Sequence, residues 1–247
     1  MTPEQQYLFD LQGYVVLKGV LSSNMVGALN TACARYEEMD PSDYPAPLVL
    51  GQERTENNLY ISNIVEGDPL FEELIDVPDV LEVIKDTSAG QWRLNHTYLI
   101  SRWGGGYTYL HLGGTPIHPK CTYMCHGGQI ASSLTKAVFP LLGTTKEDGC
   151  FSVIPGSHKS NFARPYGNHP DENPPLVPVE CEPGDAIVFT EALAHGSLVN
   201  KSLKPRRTLF YCYSVGFMPD WGRLGLHFTP EFSARLPEAR REILRLK

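Results

Sequence analysis

The sequence predicts a mostly β fold with flanking helices, a β-sandwich preceded by a helical stretch, on three observations. Apolar runs rich in β-branched and aromatic residues recur from Trp92 onward, separated by Asp148-Gly149, Pro155-Gly156 and Pro183-Gly184 turns. Helix-start signals cluster ahead of them. The 20 Pro and 22 Gly are spread along 247 residues, as many short strands joined by turns require. That length suits one large core of the size all-β domains reach. One unit is therefore expected, with a helical part over about 1–90, a β core over about 91–217 and a C-terminal helix over about 230–246.

Thr2-Pro3-Glu4-Gln5 reads as a helix start: a Thr cap, Pro at the first helical position, and Gln to complete a capping box. The helix should end near Gly13, and Tyr14-Val15-Val16-Leu17 reads as a strand. Ser22 or Ser23 caps a second helix, with Met25, Leu29, Cys33 and Tyr36 recurring on one face. Residues 41–68 show little periodicity and read as a long loop with short strands. A third helix begins at Pro78 and carries Val80, Leu81 and Ile84. Leu94–Ile100 is β-rich, and Tyr107–Leu112 follows the flexible Gly104-Gly105-Gly106. A hairpin then turns at His126-Gly127-Gly128 and leads into one long strand ending at Leu141. Further strands fit 150–154, 177–181, 185–190 and 206–215. The basic helix Pro237–Leu246 is expected to present its Arg run as a solvated face, favourable to the helix dipole.

A net charge of −7 weighs against nucleic acid or an anionic membrane as partner, since both reward clustered Lys and Arg. The six cysteines (33, 121, 125, 150, 181, 212) form no disulfide framework. Cys121 and Cys125 are candidate zinc ligands, but no second pair with ligand spacing follows, and buried free thiols are expected instead. Met1–Tyr7 lacks the basic and apolar regions of an export signal, and no run approaches the ~18 apolar residues of a membrane span. A cytoplasmic location is expected.

Two of the eight histidines stand in distinctive contexts. His111 ends a strand and enters Leu112-Gly113-Gly114, where the backbone can turn tightly and leave space beside the imidazole. His195 follows the strand Asp185–Phe189 and precedes Gly196-Ser197. Arg206-Arg207 opens the apolar strand Thr208–Tyr213, and an Arg at the start of a core strand is costly unless it meets an anion. Two imidazoles and an Arg are the minimum that can hold iron and a dicarboxylate.

Phe9–Leu17 followed by Val20-Leu21-Ser22, Asp148-Gly149-Cys150 leading to Ile154–Lys159, and Pro183-Gly184-Asp185 ahead of His195-Gly196-Ser197 form an ordered series, with Arg206 eleven residues after His195. In that order and spacing the chain resembles the phytanoyl-CoA dioxygenase family of iron/2-oxoglutarate oxygenases over nearly its whole length. The resemblance implies a double-stranded β-helix (jelly roll, cupin-like). It implies Fe(II), 2-oxoglutarate and O2 as cofactors, and oxidation of a C–H bond in a small molecule by hydroxylation or halogenation. It makes His111 the proximal and His195 the distal metal ligand, and Arg206 the clamp for the cosubstrate's far carboxylate, with Ser197 and Thr208 as minor helpers. Strand alternation should admit only one of Arg206 and Arg207 to the site.

The departure lies at Gly113, where the family's His-x-Asp becomes His-x-Gly. Three explanations stand open. The vacant position holds chloride, as in halogenases with a similar motif. Water or a carboxylate from elsewhere completes the shell, with Glu191, four residues before His195, the first candidate. Or iron chemistry has been lost. An Asp at 113 would restore a carboxylate, and Ala should be mild unless positive φ is required. His126, also His-x-Gly, is the rival proximal ligand but reads better as a hairpin residue; His118, His158 and His169 read as loop residues, and His96 and His227 are undecided. Trp103, Tyr107 and Trp221 fit a substrate mouth or the core; Lys120, Lys136 and Arg102 fit an anionic substrate or, more simply, solvent. A non-catalytic binding jelly roll and a cupin-type enzyme without 2-oxoglutarate remain the alternatives. The oligomeric state is left open.

Overall fold

Three sheets of antiparallel strands carry the molecule, and helices cover the outer face of the largest. The computed structural model describes residues 1–88, 90–202, 204–219, 221 and 228–244. The chain opens with α1 (Pro3–Gln12), whose Thr2–Gln5 capping box forms as the sequence predicts and which stops at Gly13 in the left-handed region. β1 (Tyr14–Leu17) and α2 (Ser23–Glu38, capped by Ser22) follow. Then come β2 (Val49–Leu50), β3 (Asn58–Ser62), the single-turn α3 (Pro69–Glu72) and α4 (Pro78–Thr87). The remaining strands are β4 (Trp92–Arg102), β5 (Thr108–His111), β6 (Tyr123–His126), β7 (Gln129–Ser132), β8 (Leu134–Pro140), β9 (Phe151–Val153), β10 (Val177–Val179), β11 (Ala186–Thr190), β12 (His195–Ser197) and β13 (Arg206–Val215). Two short helices, α5 (Pro230–Arg235) and α6 (Glu238–Leu244), close the described chain.

The large sheet runs β1-β11-β8-β13-β4-β3-β2 and packs against a small sheet β10-β9-β12-β5; β6 and β7 form a separate hairpin. This is the jelly-roll sandwich. β13 shows how one strand serves both faces: Phe210 and Cys212 join the core between the sheets, while Leu209, Tyr211 and Tyr213 join the core beneath the helices. Burial on both sides explains why β8, β11 and β13 read as nearly continuous apolar runs rather than alternating ones.

The structure adjusts several sequence readings. The first 90 residues are not only helical, because β1, β2 and β3 extend the large sheet at both edges. The long strand expected up to Leu141 breaks at Ser133, whose hydroxyl accepts from Thr122 N, so β7 stays with its hairpin and β8 enters the large sheet. β12 is too short for periodicity to announce. The helix expected over 237–246 begins at Glu238, and its residues 245 and 246 lie outside the described ones. Its basic face is not simply solvated: Arg240 pairs with Glu73 and Asp76, and Arg235 of α5 with Glu72, which ties both C-terminal helices to α3 and the turn after it. All six cysteines are free thiols, but Cys125 is exposed rather than buried. No helix among the described residues is long and apolar enough to cross a membrane.

Candidate metal centre

His111 and His195 sit directly across from each other in the β5–β12 ladder, with ring centroids 4.2 Å apart. Each Nδ1 lies against the carbonyl two residues back, 3.0 Å from Tyr109 O for His111 and 2.7 Å from Leu193 O for His195. A carbonyl only accepts, so Nδ1 carries the proton and Nε2 keeps its lone pair. Burial pushes both imidazoles below their ordinary pKa, His195 well below, and in His195 the neighbouring His111 adds to the effect. At neutral pH both rings are neutral donors, the form a metal takes.

The third group comes from the other sheet. β11 ends at Thr190, and the chain crosses from the large sheet to the small one through Glu191–Ala194 before re-entering a ladder at His195. That crossing folds Glu191 back towards His195, placing its Oε2 3.7 Å from His195 Nε2. One ligand atom each of His111, Glu191 and His195 lies within 4.8 Å of the others. Oε2 is buried, with the Lys136 ammonium 2.8 Å away as its counter-charge. Two neutral imidazoles and a carboxylate oxygen gathered within 4.8 Å of one another fit a divalent metal of the kind two imidazoles and a carboxylate hold.

Gly113 is where two turns meet. Leu112, Gly113 and Gly114 are all left-handed (φ 60, 70 and 86), and Gly113 N donates to Ala192 O at 3.2 Å. A Cβ at 113 would lie 2.5 Å from Ala194 Cβ and 2.8 Å from Ala194 N. An aspartate has no room there, and even alanine meets both a backbone it disfavours and a contact that must give.

A cavity is lined by His111 and His195 together with the polar Thr108, Ser197, Arg206 and Thr208 and the aromatic Tyr98, Phe151 and Phe210. Arg206 is buried; it donates to Gly149 O, and its Nε has no acceptor. Burial and the charge of Arg102, its cross-strand neighbour, push the guanidinium down to about 9. No carboxylate among the described residues pairs with it. Arg207 points to the opposite face and forms a two-point ion pair with Glu37 of α2 through Nε and Nη2, both at 2.7 Å.

The other candidates separate. His126 is exposed at the tip of the β6–β7 hairpin, opposite Gln129, in a different sheet from His195. His118 and His169 accept from backbone amides in turns, whereas His158 is buried. His96 is buried with its ring stacked on Tyr98 and Trp221, and His227 lies outside the described residues. Trp103 packs partly buried on the outer core. Lys136 and Arg102 are not solvated but buried. Lys136 Nζ donates to Glu191 Oε1 at 2.8 Å, a neighbour that sequence reasoning missed. The signal was available: a lone Lys inside Leu134–Pro140 needs an anion for the same reason as Arg206.

A model of the phytanoyl-CoA dioxygenase family matches residues 9–208. A probable phytanoyl-CoA dioxygenase of Caenorhabditis elegans is 24% identical over 245 residues, covering 87% of this chain and 75% of that protein. Crystal structures of HygX from Streptomyces hygroscopicus superpose with a TM-score of 0.77 over 90% of both chains. The form with nickel and 2-oxoglutarate is 25% identical, and the form that also holds hygromycin B is 24% identical.

Proposed function

The chain belongs to the phytanoyl-CoA dioxygenase family, whose model spans most of it, and from that premise we propose that it hydroxylates a C–H bond of a small molecule at an iron held by His111, His195 and Glu191. The observation that carries this reading is that Glu191 Oε2 lies beside two imidazoles whose tautomers leave Nε2 free. When bound, iron(II) with 2-oxoglutarate and O2 supplies a two-electron oxidation of the substrate, releasing succinate and CO2. HygX, which binds the same cosubstrate on the same fold, supports a small-molecule substrate.

Each residue has a physical task. His111 and His195 present neutral nitrogens, oriented by the carbonyls of Tyr109 and Leu193. Glu191 contributes the carboxylate that the family's motif places two residues after the proximal histidine. Arg206, buried beyond the metal and without an anion, pairs with the far carboxylate of 2-oxoglutarate and fixes its keto acid end towards the metal. Ser197 and Thr208 flank that carboxylate, and Phe151 and Phe210 exclude water along its length. With Glu191 as ligand, the centre keeps no extra position for a halide, and halogenation loses the vacancy at Gly113 that suggested it.

Succinate release from 2-oxoglutarate tests the reading. It should depend on added Fe(II) and O2 and fall to background with a chelator. Stoichiometric metal binding without any turnover of 2-oxoglutarate, across a panel of polyhydroxylated and apolar small molecules, would instead mark a non-catalytic binding protein.

A further inference from the structure

Lys136 is the only charged residue of β8, a strand buried along its whole length. Its side chain is 6% exposed, and an ammonium so far from water requires compensation on every side. It donates to Glu191 Oε1 at 2.8 Å and to the Tyr98 hydroxyl at 3.2 Å. Oε2 also lies 2.8 Å from Nζ, and it is the oxygen that faces His195. The ammonium therefore spans both carboxylate oxygens, and Oε2 is also turned towards the imidazoles.

We propose that Lys136 is a positioning residue for the metal's carboxylate. It holds the carboxylate beside the two imidazoles with Oε2 on the histidine side, and it stands in for the metal's charge whenever the site is empty. The proposal rests on Glu191 being a metal ligand. Two opposed consequences follow from Coulomb's law. Without metal, the ammonium keeps a buried carboxylate from being left unpaired, so the site stays assembled. With metal, it is a second cation beside the first, so it weakens binding and favours exchange.

Cobalt(II) titration followed by visible absorption, together with melting curves with and without cobalt, tests this. Lys136→Met should bind cobalt(II) more tightly, by about tenfold or more, the change that about 1.4 kcal/mol produces. Its melting temperature should drop more in the metal-free protein than in the cobalt-loaded one. Lys136→Arg, which keeps the charge, should stay near wild type in affinity. A lysine needed only for packing predicts equal destabilisation in both states, and that result, or unchanged or weaker cobalt binding, would overturn the proposal. If Lys136→Met folds only with metal present, cobalt release to a chelator replaces the titration. Slower release than wild type is expected, and equal or faster release overturns it. Glu191→Ala separates the two layers. Wild-type cobalt affinity in that variant would reject Glu191 as a ligand and Lys136 with it. Lost affinity there, beside an unchanged Lys136→Met, would reject only the role of Lys136.

Discussion

Arg206 and Arg207 are neighbours in the chain with opposite surroundings. Arg207 meets Glu37, while Arg206 is enclosed without an anion at the end of the cavity. On the proposed reading, Arg206→Leu removes a charge-assisted pair worth ~1.5–3 kcal/mol, so the apparent constant for 2-oxoglutarate should rise by roughly 10- to 150-fold. Arg207→Leu should lower the melting temperature and leave that constant nearly unchanged; the reverse pattern would reassign the clamp. The sequence let this pair be separated, because strand alternation is a strict rule. It left Gly113 ambiguous for an equally physical reason. His-x-Gly reads the same whether the position is vacant for a ligand or filled by another turn, and only the contact with Ala194 distinguishes them. That Lys136 needs an anion was legible from the apolar run around it, but that the anion is Glu191 depends on the crossing after β11.

Glu191 acquires its place from an element, the crossing between β11 and β12. Spacing marked it as a candidate, but four residues within a turn do not fix a direction; the change of sheet does. A second short element shows what burial costs a histidine. His158 sits in a single 3-10 turn (Ser157–Lys159) beneath α1, donating from Nε2 to Asp10 O at 3.1 Å and packing edge-on against Tyr123. Burial pushes its pKa down to about 4. The folded protein therefore keeps His158 neutral where the unfolded chain, at the ordinary value near 6.5, binds a proton. Its share of stability is intact above that value and is lost as pH falls from about 6.5 towards 4, by up to about 1.4 kcal/mol per pH unit. Urea midpoints measured across this range should fall less steeply for His158→Gln than for wild type. Identical slopes would mean that His158 charges without cost.

At the scale of the whole molecule, the helix caps, the turns and most strands were legible because each depends on a few adjacent residues. The places that β1, β2 and β3 take at the two edges of the large sheet and the break at Ser133 were not, because sheet membership is decided by distant partners. Arg240 likewise read as surface charge until α3 and the turn after it supplied Glu73 and Asp76. The proposed centre joins the two sheets of the sandwich: His111 and His195 belong to the small sheet, and Glu191 follows the last residue of a large-sheet strand. A metal bound there links them and stabilises the fold through its affinity, by about 2.7 kcal/mol at a hundredfold excess over Kd. The most direct measurement is the rise in melting temperature on adding iron(II) without oxygen, in wild type and in Glu191→Ala. At that excess the wild type should gain roughly 5–11 °C, at about 2–4 °C per kcal/mol for a chain of this size, and Glu191→Ala should lose most of the gain. An equal rise in both proteins would show that two histidines and an outside ligand suffice, and would contradict the assignment of Glu191.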